Sequence, residues 1–106
     1  MAMNKRKLGI LISCAPRSPR FKHGIELAKA ALNTGVDVYL YLLYDAVVSV
    51  DFDEVQQLKK NGAKLYVCAF GANRRNIKLS DSAIFSGLGS LSDIINYTDK
   101  FIAFNR

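Results

Sequence analysis

Two kinds of hydrophobic block alternate along the chain. Compact apolar runs, rich in β-branched and aromatic residues, fall at Lys7–Ser13 (KLGILIS), Val36–Tyr44 (VDVYLYLLY), Ala63–Ala69 (AKLYVCA) and Lys100–Phe104 (KFIAF). Runs this short, bounded by turn residues, predict buried strands. Between them the apolar residues take helical spacing. Phe21–Asn33 carries Ile25, Leu27, Ala28, Ala31 and Leu32 on one side and closes on Thr34-Gly35, a helix stop. Asp51 is placed to cap a helix over Phe52–Asn61, with Glu54 completing a capping-box-like pattern and Gly62 ending it. Leu88–Tyr97 sets Leu91, Ile94 and Ile95 on one helical face. Asp45–Val50 reads as a loop, Gly71–Ile77 as a short helix or turn, and Ala83–Ser86 as a short strand.

The resulting order is β-α-β-α-β-α-β-α-β. Strands alternating with helices imply a mostly parallel sheet covered on both faces, with right-handed crossovers. The expected fold is therefore an α/β/α three-layer sandwich of about five strands. Ligands in such sheets bind beyond the C-terminal strand ends. Ser13, Cys14, Tyr44, Asp45, Cys68, Ala69 and Ser86 all fall at such ends.

Composition narrows this picture. The chain has 106 residues, half of them hydrophobic, enough for one domain with a real core. That domain is expected over residues 7–106, after a basic, solvated and flexible leader at 1–6. The net charge of +6 admits acidic partners. Without aromatic interleaving it does not predict direct nucleic-acid binding. No run approaches the ~18 apolar residues of a membrane span. Two cysteines make no disulfide framework, so both are expected as thiols in a reducing cytoplasm. The start MAMNKRKLGILISC also resembles a bacterial lipoprotein signal, with Leu11-Ile12-Ser13-Cys14 as the cleavage site. Its apolar stretch is near the lower end of the usual ~7–15 residues, and cleavage would remove the first strand, so that reading is disfavoured.

Candidate chemistry centres on the cysteines. Both SCAPRSPR (Ser13–Arg20) and VCAFGANRR (Val67–Arg75) contain the C-x5-R spacing of a phosphatase loop. Such a loop cradles phosphate with successive backbone N–H groups and clamps it with the arginine. The Cys14 loop has Pro16 and Pro19, which supply no N–H, and no glycine to turn the backbone inward. The Cys68 loop is better equipped. Gly71 gives flexibility, a short helix would aim its positive end at the sulfur, and Arg74 and Arg75 add charge that favours the thiolate. Asp45 is the one acid at the same sheet edge that could serve a leaving group. Cys68 is thus either an inert packed thiol or an activated nucleophile, with Cys14 as the secondary candidate. The Arg17, Arg20, Lys22 and His23 cluster reads as a solvated loop able to meet an anion. His23, the single histidine, receives no role. Two Cys and one His at unrelated spacing do not form a metal pattern. No G-x-G-x-x-G follows the first strand, and SCAPRSPRF is too bulky for a flavin loop, so no cofactor is expected. Tyr39, Tyr41 and Tyr44 read as packing residues, with a subunit contact as one place for that packing.

Three segments carry a family resemblance. GIELAKAALNTGVDVYLYLLYDAV (Gly24–Val47) is similar to the first helix, second strand and following loop of DsrE/DsrF-like proteins, although Ala46 stands where that loop has glycine. NGAKLYVCAFGANRRNI (Asn61–Ile77) resembles the family's Gly-x5-Cys stretch with paired arginines, as in TusD-like subunits, with Asn76 in place of the usual glycine. GLGSLSDIINYTDKFIAF (Gly87–Phe104) resembles the family's closing helix and strand. The resemblance implies a sulfur-relay protein, a sulfurtransferase-type carrier that holds sulfane sulfur on Cys68 as a persulfide and passes it to an acceptor protein's thiol. Arg74 and Arg75 would stabilise the sulfur anion. It also implies sulfur donor and acceptor partners and self-association, or assembly with related subunits. Some relatives lack the cysteine and serve as binding or assembly subunits, which is the alternative reading. A small phosphate-binding cysteine enzyme is the third.

Overall fold

The structure is a computed structural model that describes residues 5–105. Its strands are β1 (Lys7–Ile12), β2 (Asp37–Leu42), β3 (Lys64–Cys68), β4 (Ile84–Ser86) and β5 (Lys100–Phe104). Its α-helices are α1 (Pro19–Asn33), α2 (Asp53–Lys60), α3 (Ala69–Arg74) and α4 (Leu88–Tyr97). All five strands pair in parallel in the order β4-β3-β2-β1-β5. The expected α/β fold and parallel sheet are what the chain forms.

Side-chain parity assigns the layers, since successive strand residues point to opposite faces. Gly24 of α1 lies against the Ile12 and Phe104 side chains, whereas Ile94 of α4 reaches Gly9 on the opposite face. α2 packs beside α1. The central strand β2 is buried on both faces, and Ile10, Ile12, Leu40, Tyr41, Leu42 and Phe21 are almost fully enclosed. A strand covered on both faces has no polar side to show, which is why its sequence is a run rather than an alternation.

Element ends differ from expectation where local chemistry intervenes. α1 begins at Pro19, not Phe21, because proline suits the first helical position and Ser18 Oγ caps by accepting the Arg20 N–H at 3.2 Å. Asp51 does not cap α2. Phe52 holds the cap position without a side-chain hydrogen bond, while Asp53 and Glu54 in the first turn and Lys59 and Lys60 in the last complement the helix dipole. The segment read as a loop at Asp45–Val50 is a 3₁₀ turn over Tyr44–Ser49. Of the basic leader, residues 1–4 lie outside the described residues. Its last two residues engage β2. The Asp37 N–H donates to the Arg6 carbonyl at 2.9 Å, and Lys5 Nζ lies 3.7 Å from Asp37 Oδ1.

Gly9 is where α4 closes on the sheet. A Cβ there would lie 2.6 Å from Phe101 Cδ1, 3.1 Å from Thr98 Oγ1 and 3.2 Å from Ile94 Cγ2. Alanine improves on glycine as a strand residue by roughly 0.5–1 kcal/mol. Overpacking costs about 1–3 kcal/mol and outweighs that gain. Gly9→Ala should therefore lower the urea midpoint at unchanged m-value; an unchanged or raised midpoint would show that α4 is not held this closely.

Candidate functional site

No residue separates β3 from α3. Cys68 ends the strand and is also the cap of the helix, where its Sγ accepts the Gly71 N–H at 3.4 Å. The helix starts two residues earlier than the position of Gly71 suggests, so the sulfur itself takes a capping role usually held by oxygen. Cys68 is only 5% exposed, yet it lines a cavity of about 590 Å³ at the C-terminal sheet edge. Leu43 and Tyr44 form one side of that cavity, Phe70 and Gly71 another, and Gly87 and Leu88 a third. Arg74 and Arg75 complete it.

The paired arginines have different surroundings. Arg75 is half-buried, with one guanidinium nitrogen 3.1 Å from Asp45 Oδ1 and the other donating to the Gly71 carbonyl at 3.3 Å. Its charge is neutralised by Asp45, and the pair joins the 3₁₀ turn to α3. Arg74 is exposed, lies over the Phe70 ring at 5.6 Å, and has no carboxylate partner among the described residues. Arg74 is thus the charge left available to an anion in the cavity. Asp45 is committed to Arg75 and does not line the cavity, which counts against a leaving-group acid there.

Two groups that spacing alone did not bring to Cys68 lie beside it. Tyr41, read from sequence as packing, is buried and stacks on Tyr66 with ring centroids 6.5 Å apart. Its hydroxyl reaches past the end of β3 and donates to the carbonyls of Ser86 at 3.2 Å and Gly87 at 3.1 Å. Burial, and then the adjacent Cys68, push its pKa up to about 12. Ser86 is the ladder partner of Cys68 on β4. Leu43, Phe70 and Leu88 also line the cavity, which the sequence did not signal: an apolar residue in a strand, helix or turn carries no mark of facing a cavity rather than the core.

Tyr44 has φ 51°, an uncommon value for a bulky non-glycine residue, and it stands 62% exposed on the cavity rim. Cys14 is fully buried in the core and does not line this cavity. Ser13 beside it closes on the last strand, its Oγ donating to Asn105 Oδ1 at 2.7 Å. His23 is exposed near Arg20 on α1, apart from the Cys68 cavity.

A model of the DsrE/DsrF-like family matches residues 6–104. The chain belongs to the DsrE/DsrF-like family. No curated protein sequence matches it. Among solved structures, it is similar to the ychN protein from E. coli, with TM-score 0.80 and 22% identity over 93% of this chain and 99% of that one. It is also similar to the conserved protein of unknown function BT1422 from Bacteroides thetaiotaomicron, with TM-score 0.72 and 15% identity over 92% and 93% of the two chains. At these identities the likeness concerns the fold. Within this DsrE/DsrF-like chain, Asn76 has φ 58°. A left-handed residue is needed after α3, and asparagine tolerates it better than most non-glycine residues.

The raised Tyr41 pKa has a stability consequence. An unfolded tyrosine titrates near 10, and Tyr41 in the fold titrates at about 12. Folding therefore favours the neutral phenol. That contribution is whole below pH ~10 and is lost as pH climbs through the folded value. Tyr41→Phe should flatten the fall in urea midpoint across this window relative to the parent chain. An equally steep fall would assign it to other groups, such as Tyr39, whose pKa burial also raises.

Proposed function

We propose that this protein is a sulfur carrier: Cys68 accepts sulfane sulfur from a donor, holds it as a persulfide or related adduct, and passes it to the thiol of an acceptor protein. The observation that carries this reading is Cys68 Sγ itself, facing a cavity while accepting a backbone N–H from the helix it caps. A thiolate attacking an electrophilic sulfur must be reachable and its charge supported. Arg74, with no carboxylate partner among the described residues, supplies charge at the same cavity. Membership of the DsrE/DsrF-like family supports the same chemistry, and the Cys68 segment is the part that resembles TusD-like subunits.

The setting proposed is cytoplasmic, with donor and acceptor proteins as partners and with self-association. No helix among the described residues is long and apolar enough to cross a membrane. Ile84, Ile95, Tyr97 and Ile102 leave exposed apolar surface that favours assembly.

The low exposure of Cys68 favours a second reading, a binding or assembly subunit of the same fold with an inert thiol. Incubation with tetrathionate or polysulfide followed by intact mass separates the two. Sulfur or thiosulfonate adducts should form on the parent chain and on Cys14→Ser but not on Cys68→Ser. No adduct on any of them, with alkylation far slower than a free thiol, selects the assembly reading. An adduct that persists in Cys68→Ser refutes the site.

Arg74 gives a further check. One unit charge about 4 Å away is worth about 1 kcal/mol in water, or roughly fivefold in rate. Arg74→Gln should slow reaction with an anionic donor by up to about that factor, and the parent's advantage should shrink as salt is added. Equal rates at low salt would remove Arg74 from the site.

A further inference from the structure

Ser86 Oγ is sealed from solvent and has no hydrogen-bond partner among the described residues. Buried hydroxyls without partners are rare, and each needs an explanation. Ser86 is paired with Cys68 in the parallel ladder between β4 and β3. Paired positions on neighbouring strands are about 5 Å apart and project to the same face.

Tyr41 lies beside both Ser86 and Cys68. Gly71 N–H donates to Cys68 Sγ. The Tyr41 hydroxyl donates to the Ser86 and Gly87 carbonyls, which also fixes the backbone that carries Ser86. No hydrogen bond joins Ser86 Oγ to Cys68 Sγ, so the resting thiol is not its partner. A sulfur added to Cys68 would extend about 2 Å beyond Sγ, and Gly87, the residue next to Ser86, lines the same cavity as Cys68.

We propose that Ser86 is a second donor of the sulfur site, its hydroxyl giving a hydrogen bond to the outer sulfur of a persulfide held on Cys68. This rests on the sulfur-carrier reading of Cys68. In the loading step the Cys68 thiolate attacks the terminal sulfur of a hydropersulfide R–S–SH. A new S–S bond forms, the old one breaks, and R–S⁻ departs with the electron pair and takes a proton from solvent. Nothing is oxidised or reduced overall. The persulfide on Cys68 then ionises, with its charge on the outer sulfur, where Ser86 donates. In the unloading step the outer sulfur first takes back a proton from solvent. The acceptor thiolate then attacks it, the Cys68–sulfur bond breaks, and Cys68 leaves as thiolate, where Gly71 N–H donates. The two donors thus serve the two positions of negative charge, inner and outer.

The test equilibrates the protein with a small alkyl hydropersulfide and its thiol, then reads the persulfide fraction on Cys68 by alkylation and intact mass. A hydrogen bond to a charged group is among the stronger kinds, so Ser86→Ala should lower the exchange constant roughly tenfold or more. Ser86→Thr should restore it. The iodoacetamide rate of the unloaded thiol should match the parent in both variants, and the melting temperature of Ser86→Ala should be equal or higher, because an unpaired buried hydroxyl has been removed. An exchange constant unchanged in Ser86→Ala overturns the role of Ser86 alone. A fall that tracks a lower melting temperature and is not restored by threonine also overturns it, as a packing effect. No persulfide on the parent chain removes the sulfur-carrier reading, and this inference with it.

Discussion

The parity of the parallel ladder is the constraint on which the site depends. Tyr41 on β2 pairs with Tyr66 on β3, and two residues further along β3 Cys68 pairs with Ser86 on β4. All four side chains therefore project to one face. A slip of one residue in any strand would send its member to the other face. Hydrophobicity alone resists such a slip weakly here, because β2 is buried on both sides. Shape and hydrogen bonding resist it instead. Gly9 admits α4 on one face and Gly24 admits Ile12 on the other, and neither contact survives a shifted register. The Tyr41 hydroxyl adds a polar lock by joining β2 to the end of β4 across β3.

That register explains why the two arginines differ. α3 leaves the strand with no intervening loop, so its orientation is set by Cys68. Successive helical residues point about 100° apart, which follows from 3.6 residues per turn. Arg75 turns toward the 3₁₀ segment and meets Asp45, while Arg74 turns outward over Phe70. With 31% and 49% of the Arg75 and Asp45 side chains exposed, their pair contributes at most about 1 kcal/mol to stability. Its larger effect is geometric. By also binding the Gly71 carbonyl, Arg75 holds the α3 wall of the cavity.

Much of the fold was legible because parallel, doubly buried strands leave continuous apolar runs, and the helices between them keep one apolar face. Boundaries were less legible where one residue serves two elements. Cys68 belongs to a strand and caps a helix, and Pro19 looked like loop punctuation while occupying the first helical turn. Asp51 looked like a cap, but residues one position either side determine where a helix begins, and the turn through Asp51 leaves Phe52 in that place. At the site, Cys68 was visible from its strand end, and the C-x5-R spacing gave Arg74. The division between Arg74 and Arg75 was not visible, because it depends on direction rather than type. Tyr41 and Ser86 lie 27 and 18 residues from Cys68, and only strand pairing brings them to it.

The cavity and the β4 residue paired with Cys68 gather features that a fold selected for stability alone would shed. Tyr44 has a left-handed backbone that costs a non-glycine residue of order 1–3 kcal/mol. Ser86 Oγ is buried without a partner, and Phe70 is 67% and Leu88 59% exposed. Against a total stability of about 5–15 kcal/mol for a domain, such departures are not small. Departures of this kind are expected at functional sites. The burial of Cys68 fits the same logic. A thiol on the open surface meets every oxidant in solution, in proportion to its thiolate character and exposure. A thiol at 5% exposure behind an apolar rim meets what enters the cavity first. On the sulfur-carrier reading proposed above, selectivity at this sulfur would come from the route to it, which Tyr44, Phe70 and Leu88 line, as much as from neighbouring charge.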